Sequence, residues 1–163
     1  MDQFFQDGPT FPHPYESDKT LQAIIKFFCS GERKAESIVL DLKVFSDRIV
    51  NEFEELALRA DAHPPVHRPY DAWGKRIDKL DVDPAWEELD KISAEEGLIA
   101  LGYERDGDAS HRLHQLLKMY LFHPSSAFYS CPLAMTDGAA KLIETHGQKD
   151  LREGAFQHLT SRD

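Results

Sequence analysis

The chain contains only two cysteines in 163 residues, Cys29 and Cys131, and they are far apart. This scarcity excludes a disulfide scaffold of the secreted type and a cysteine-rich zinc site. No GxGxxG, P-loop, GxSxG or HExxH motif is present either. The residues alone therefore indicate no catalytic group and no metal site. Both thiols lie in apolar sequence, which predicts small buried side chains.

Long hydrophobic runs are also missing. Residues 119–140 carry a single formal charge, Asp137, but they include two prolines and three serines. A membrane-spanning helix needs about twenty largely apolar residues, so this stretch does not predict one. The N-terminus lacks the basic start and apolar run of a signal peptide, and it is not Arg-rich like a transit peptide. We expect an intracellular protein, cytoplasmic or mitochondrial, without a membrane contact.

Positive charge is in short supply. Nineteen lysines and arginines face 29 carboxylates, the net charge is −10 and the isoelectric point is near 5.2. Nucleic-acid-binding domains usually carry a basic patch and an isoelectric point above about 9. Nucleic acid is therefore not an expected partner, and the acidic residues of the first two-thirds are interpreted as a solvated face.

What the sequence does contain is helical periodicity. Residues 1–16 are predicted to be an extended arm, because Pro9, Pro12 and Pro14 exclude a helix there. Ser17 or Asp18 then caps a helix that ends at Gly31. A longer amphipathic helix follows and ends at residues 63–65. The apolar stripe of the first helix is Leu21, Ile24, Ile25 and Phe28, and that of the second is Ile38, Leu42, Phe45, Ile49, Phe53, Leu56 and Ala60.

A weak strand pattern on both sides of Gly74 predicts a small hairpin. Asp83 and Pro84 form the cap and first position of the next helix, which continues to about Leu101. Another helix begins near Ala109, and its apolar period continues past Pro124 to His146, as kinked or paired helices. A last short helix covers residues 149–159. The predicted fold class is all-α, a helical bundle with a small β-hairpin excursion.

The quiet stretch from residue 127 to residue 144 has two interpretations. Its small side chains could let two buried helices pack closely. They could equally leave room for a ligand, with Ser130, Thr136 and Asp137 as polar anchors. Periodicity does not separate the two. His111 and His114 share a helix, but without a carboxylate pattern they are interpreted as surface or core histidines rather than metal ligands.

Three segments resemble the N-terminal helical domain of the acyl-CoA dehydrogenase family, in its AidB-like (adaptive-response) branch. They are "HPPVHRPYDAWGKRIDKLDVDPAWEEL" at 63–89, "CPLAMTDGAAKLI" at 131–143 and "HGQKDLREGAFQHLTSRD" at 146–163. The middle segment is the most specific. The resemblance implies that residues 17–163 form this helical domain, without the family's middle β-barrel and C-terminal helical domains.

The resemblance also implies a function. Family members remove hydrogens from an acyl-CoA thioester, with a carboxylate base and FAD supplied by segments outside this chain. The domain would contribute one wall of the acyl and flavin pocket, through the side chains of Met135, Thr136, Tyr129 and Cys131. FAD and acyl-CoA would bind only together with the other domains, and the chain alone would be inactive. Family members are usually homo-oligomers. The alternative is a stand-alone, non-catalytic helical interaction module.

Overall fold

The structure is a computed structural model that describes residues 5–6, 8–29, 32–105 and 110–163. The predicted helix end at Gly31 and helix start at Ala109 lie outside these residues. The helices are α1 Pro14–Ser17, α2 Lys19–Phe28, α3 Glu32–Arg48, α4 Glu54–Ala62, α5 Pro84–Glu95, α6 Ser110–Phe122, α7 Ser130–His146, α8 Lys149–Glu153 and α9 Ala155–Leu159, and the strands are β1 Val66–Tyr70 and β2 Arg76–Asp81. The predicted all-α fold class with a hairpin excursion is confirmed.

The extended arm is shorter than predicted, because α1 begins at Pro14. Proline is compatible with the first helical position, where its missing N–H has no intrahelical partner. Asp18 caps α2 as predicted, accepting a hydrogen bond from the Leu21 amide at 2.8 Å. Leu21 and Ile25 are buried, but Phe28 of the predicted stripe is 63% exposed. The apolar face of α2 is therefore narrower than the sequence indicates.

The predicted long helix is confirmed, and it contains a π-helical turn at Ile49–Phe53 between α3 and α4. Sequence periodicity did not predict this turn. Its residues remain in the core, where Phe53 meets the rings of Phe45 and Phe122 at centroid distances of 5.5 and 6.0 Å. These aromatic contacts are the centre of the bundle.

The hairpin is confirmed, with β1 and β2 antiparallel and Gly74 in the turn at φ +80°. Asp83 caps α5 by accepting a hydrogen bond from the Ala85 amide at 2.9 Å, and Pro84 is the first helical residue. Arg59 Nε lies 2.8 Å from the Asp83 carboxylate, so the same side chain joins α4 to α5.

Paired helices, rather than one kinked helix, connect the bundle to its last third. A 3₁₀ turn at His123–Ser125 contains Pro124 and separates α6 from α7. Pro132 lies in the first turn of α7, where a missing N–H costs little. The predicted last helix is two short helices, α8 and α9, broken at Gly154.

The interpretation of α7 as part of a buried helix pair is wrong. Of its seventeen residues only Leu133 and Ala140 are buried. Phe156 of α9 packs edge-on against Tyr103, at a centroid distance of 5.4 Å, and brings the C-terminal segment beside α7. No helix in the described part of the chain combines the length and the apolar character needed to cross a bilayer.

Candidate functional site

A cleft of about 180 Å³ lies where α7 meets α5 and the C-terminal segment. Of the four predicted pocket residues, Tyr129 and Thr136 line it, whereas Met135 and Cys131 do not. The other residues around it are Asp90, Ser93, Ala94, Ile99, Pro132, Leu133, His158, Leu159, Ser161 and Asp163. The predicted set is therefore divided between two surfaces of α7.

Tyr129 occupies the α5 side of the cleft. Its hydroxyl donates a hydrogen bond to the Asp90 carboxylate, and its ring lies 6.4 Å from that of Trp86. Burial and the neighbouring Asp90 charge both raise the pKa of the Tyr129 hydroxyl. The side chain is therefore a neutral phenol that joins the start of α7 to α5.

Thr136 lies on the same side of α7, four residues after Pro132. Its hydroxyl donates to the Pro132 carbonyl oxygen at 3.0 Å, within its own helix. The donor is thus already used, and the hydroxyl oxygen keeps only its acceptor capacity. Thr136 can accept a hydrogen bond in the cleft but has no proton to offer without losing this one.

Met135 and Cys131 lie on the opposite, solvent-facing side of α7. Met135 is 71% exposed and Leu142 is 63% exposed. Gly138, between them, and Cys131, one turn before Met135, are exposed as well. We call Cys131, Met135, Gly138 and Leu142 the outer stripe. Their spacing of three and four residues gives one continuous, uncharged face. The prediction of a buried thiol is wrong for Cys131, and Cys29 is only half-buried.

Asp137 is turned inward, so it does not face a ligand as the sequence suggested. Its carboxylate accepts hydrogen bonds from Arg112 at 2.7 Å and from the Tyr103 hydroxyl at 2.8 Å. Gln115 Nε2 lies 3.5 Å from the same oxygen. No local sequence pattern connects Asp137 to these three partners. The isolated charge of Asp137 in an uncharged stretch was the available signal.

The remaining polar candidates also serve the fold. Ser130 Oγ lies 2.8 Å from His123 Nδ1, and His114 Nε2 lies 2.7 Å from the Asp41 carboxylate. Within the residues that the structure describes, no three His, Cys, Asp or Glu side chains are grouped to hold a metal ion. The outer stripe is an exposed apolar surface, whereas the cleft is lined by both polar and apolar side chains.

Comparisons with known proteins identify relatives of the whole domain. The model of the "Adaptive response protein AidB N-terminal domain" family matches residues 12–163. A curated relative, "Acyl-CoA dehydrogenase family member 11" of Caenorhabditis elegans, is 42% identical over 98% of this chain. The aligned region is 26% of that relative, so the chain spans about a quarter of its length.

Two solved structures superpose closely. The Caenorhabditis elegans ACDH-11 structure in complex with C11-CoA matches with a TM-score of 0.91 at 41% identity, over 100% of this chain and 28% of that one. The structure described as "Bd2924 apo-form" matches with a TM-score of 0.91 at 40% identity, over 99% of this chain and 32% of that one. The chain therefore belongs to the AidB N-terminal domain family and has the fold of the N-terminal helical domain of acyl-CoA dehydrogenase family proteins.

Proposed function

We propose that this domain forms one wall of an acyl-CoA pocket beside FAD, in an oxidoreductase of the acyl-CoA dehydrogenase family. The observation that supports it most is the outer stripe of α7, which is apolar, uncharged and exposed on the side of the helix away from the cleft. A helix normally buries its apolar stripe. The C11-CoA complex of ACDH-11 supports an acyl-CoA as the ligand class.

In this proposal the chain supplies an apolar surface that contacts the ligand and excludes water, and it supplies no reacting group. FAD, when bound, accepts the hydride, and a carboxylate base and the flavin-binding loop come from a middle β-barrel and a C-terminal helical domain. Met135 and Leu142 provide apolar contact area, and Met135 adapts to the ligand through its flexible thioether side chain. Cys131 belongs to the same face, whereas Tyr129 and Thr136 support α7 from the cleft side, where Tyr129 is hydrogen-bonded to Asp90.

The residues present fit an apolar part of such a ligand and not its phosphates. Lys141 is the cation nearest to the outer stripe in the described part of α7, and it is paired with Glu144 at 2.7 Å. A fatty acyl chain or the edge of a flavin ring matches this surface, whereas a pyrophosphate needs free donors. The chain alone is therefore expected to bind neither FAD nor acyl-CoA tightly and to be inactive.

The test compares Met135→Glu with Leu40→Glu in the FAD-loaded protein that carries this domain. Leu40 is an equally exposed leucine on α3, away from α7. A charge on the outer stripe would be buried against the ligand, so Met135→Glu is expected to weaken acyl-CoA binding about 100-fold, because an unpaired charge is costly to desolvate. Leu40→Glu should leave the affinity unchanged in isothermal titration calorimetry. Equal affinity of both variants and the wild type for acyl-CoA would refute the proposal that the outer stripe forms a wall of the pocket.

A homo-oligomeric interaction module is the second candidate, and the hairpin favours it. Trp73 is 93% exposed, and neither face of the hairpin is buried. Two-stranded hairpins are marginal on their own, and Trp is frequent at interface hot spots. Residues 66–82 carry four basic and three acidic side chains in a chain of net charge −10, so the hairpin is not part of the negative charge that would repel a second copy.

This candidate is tested by the molar mass of the chain in solution, measured by light scattering. Trp73→Ser should convert the wild-type oligomer to a monomer, whereas Phe27→Ser, another exposed aromatic position on α2, should leave the oligomer intact. A wild-type chain that is monomeric at high concentration would contradict the hairpin interface.

A further inference from the structure

We propose that Asp137 is a positioning residue that fixes the rotation of α7 about its axis and thereby sets which acyl chains the pocket accepts. The inference rests on the proposed function, because Asp137 follows directly after Met135 and Thr136. A rotation of α7 by one residue would move Thr136 out of the cleft and turn the outer stripe, including Met135, away from the proposed ligand. Asp137 itself would not touch the ligand.

Apolar packing alone determines the orientation of α7 weakly. Leu133 and Ala140 are its only buried residues in the structure as described. One residue of rotation in an α-helix corresponds to about 100°, and small side chains resist such a change less than large interlocking ones. A directional interaction is therefore needed to select one rotation.

Asp137 supplies that interaction with a largely buried carboxylate. Only 17% of its side chain is exposed, and its Oδ1 accepts from Arg112 and Gln115 of α6 and from Tyr103, which precedes α6. The Tyr103 hydroxyl also lies 3.0 Å from the Asp137 backbone carbonyl oxygen. Charge-assisted hydrogen bonds in a protein interior are both strong and directional. One oxygen thus fixes α7 against two other segments.

The donors are themselves held in place. Arg112 Nη1 lies 2.5 Å from Gln115 Oε1, and Gln115 is fully buried. Its side chain occupies the space beside Gly102, where an added Cβ would lie 2.1 Å from Oε1. The Tyr103 ring packs under the Arg112 guanidinium, at 5.6 Å from its centroid. The three donors are therefore held by contacts with one another as well as by Asp137.

The protonation states agree with these roles. Burial, followed by the hydrogen bond to Asp137, raises the pKa of Tyr103 to about 12, so the hydroxyl remains a donor near neutral pH. Burial raises the pKa of Asp137, but the hydrogen bonds of Arg112 and Tyr103 outweigh it, so this pKa is lowered and the carboxylate remains ionised.

The first experiment measures amide hydrogen exchange across residues 130–146 in the chain. Asp137→Asn and Tyr103→Phe are each expected to raise the exchange rate of α7 about tenfold relative to α3. Ile38→Val, a core change on α3, serves as the control that lowers global stability without touching the cluster. Exchange in α7 that follows global stability in all three variants would overturn the positioning role.

The second experiment measures the dissociation constants of short-chain and long-chain saturated acyl-CoAs in the FAD-loaded protein. Asp137→Asn is expected to change the ratio of the two constants by about tenfold, the effect of a misfit of roughly one methylene. Equal weakening of both ligands, with the ratio unchanged, would show a merely structural role and overturn the inference. If the wild type binds no acyl-CoA, the proposed function fails, while a selective rise of exchange in α7 would still show that Asp137 orients the helix.

Discussion

The Nζ atom of Lys118 lies 2.7 Å from the Glu96 carboxylate and 3.0 Å from the Asp41 carboxylate, although only 3% of the Lys118 side chain is exposed. Lys118 comes from α6, Asp41 from α3, and Glu96 follows α5. The ring of Phe45 lies 4.7 Å from the same ammonium group. The buried ammonium group has lost almost all of its hydration, and the two carboxylates offset the free-energy cost of that loss. One side chain thus joins three helical segments.

We expect Lys118→Met to destabilise the chain by about 3 kcal/mol, since it removes the buried cation between two carboxylates. Among the described residues, this change leaves Asp41 only His114 and Glu96 only Arg48 as partners. The size of the methionine side chain matches that of lysine, so a cavity does not contribute. Lys141→Met is the matched control, because its pair with Glu144 is exposed and should be worth less than about 0.5 kcal/mol. Urea unfolding measures both values. A Lys118→Met variant as stable as Lys141→Met would show that the buried ion pair is not stabilising.

Asp41 makes the contribution of this cluster to folding stability dependent on pH. Burial raises the pKa of its carboxyl, but hydrogen bonds and charges from His114 and Lys118 outweigh it and lower the pKa to about 2, from 3.8. The folded-state pKa is below the unfolded value, so the ionised carboxylate stabilises the fold above about pH 4. This contribution is lost as the pH falls towards 2.

The corresponding measurement is the urea midpoint as a function of pH. The wild type should lose stability between about pH 4 and pH 2. Asp41→Asn should be less stable near neutral pH and should lose less over the same range, because asparagine does not titrate. Parallel curves for the two proteins would assign the acid sensitivity to other carboxylates.

The helical elements were predictable because local signals specify them. The Asp83–Pro84 start of α5 and the apolar stripe from Ile38 to Ala60 are both confirmed. The π turn at Ile49–Phe53 was not predictable, because its apolar residues fit an α-helical period equally well. The exposure of Phe28 was missed for a related reason. Periodicity shows which residues share a face, but only tertiary packing decides how much of that face is covered.

The candidate site was predictable only in part. The resemblance selected α7, and Tyr129 and Thr136 do line the cleft. The partners of Asp137 are 22 to 34 residues away in sequence, and no local pattern connects them. Whether an uncharged helix is covered depends on which other segments reach it. Composition therefore could not distinguish a buried α7 from an exposed one.

Gly97 offers a test of how the C-terminal segment is held beside the cleft. It has φ +63°, and an added Cβ would lie 2.5 Å from the Arg162 guanidinium carbon, which pairs with Glu104 at 2.7 Å. Gly97→Ala should lower the free energy of unfolding by about 1–2 kcal/mol because of the left-handed backbone, and further because Arg162 is displaced. Thermal unfolding of Gly97→Ala, Arg162→Ala and the double variant separates the backbone effect from the Arg162 effect. If the guanidinium matters, the alanine should cost less in the Arg162→Ala background. Strict additivity would show that Arg162 is not displaced.

A substitution at Gly138 is expected to stabilise the chain and to weaken acyl-CoA binding. It lies inside α7, and an added Cβ would meet nothing within 4 Å in this chain. Gly138→Ala should therefore stabilise the isolated chain by about 0.5–1 kcal/mol, the helix preference of alanine over glycine.

In the FAD-loaded protein the same methyl group would occupy the outer stripe. We expect Gly138→Ala to weaken acyl-CoA binding about tenfold there, because a close-packed contact tolerates an extra methyl group poorly. Ala139→Gly is the control on the neighbouring position. It removes a methyl group, so it should lower the stability of the chain while leaving acyl-CoA affinity within about twofold. Calorimetry of the chain and titration of the loaded protein measure the two effects separately. A Gly138→Ala variant that is more stable and binds as tightly as the wild type would show that glycine at this position does not serve ligand approach.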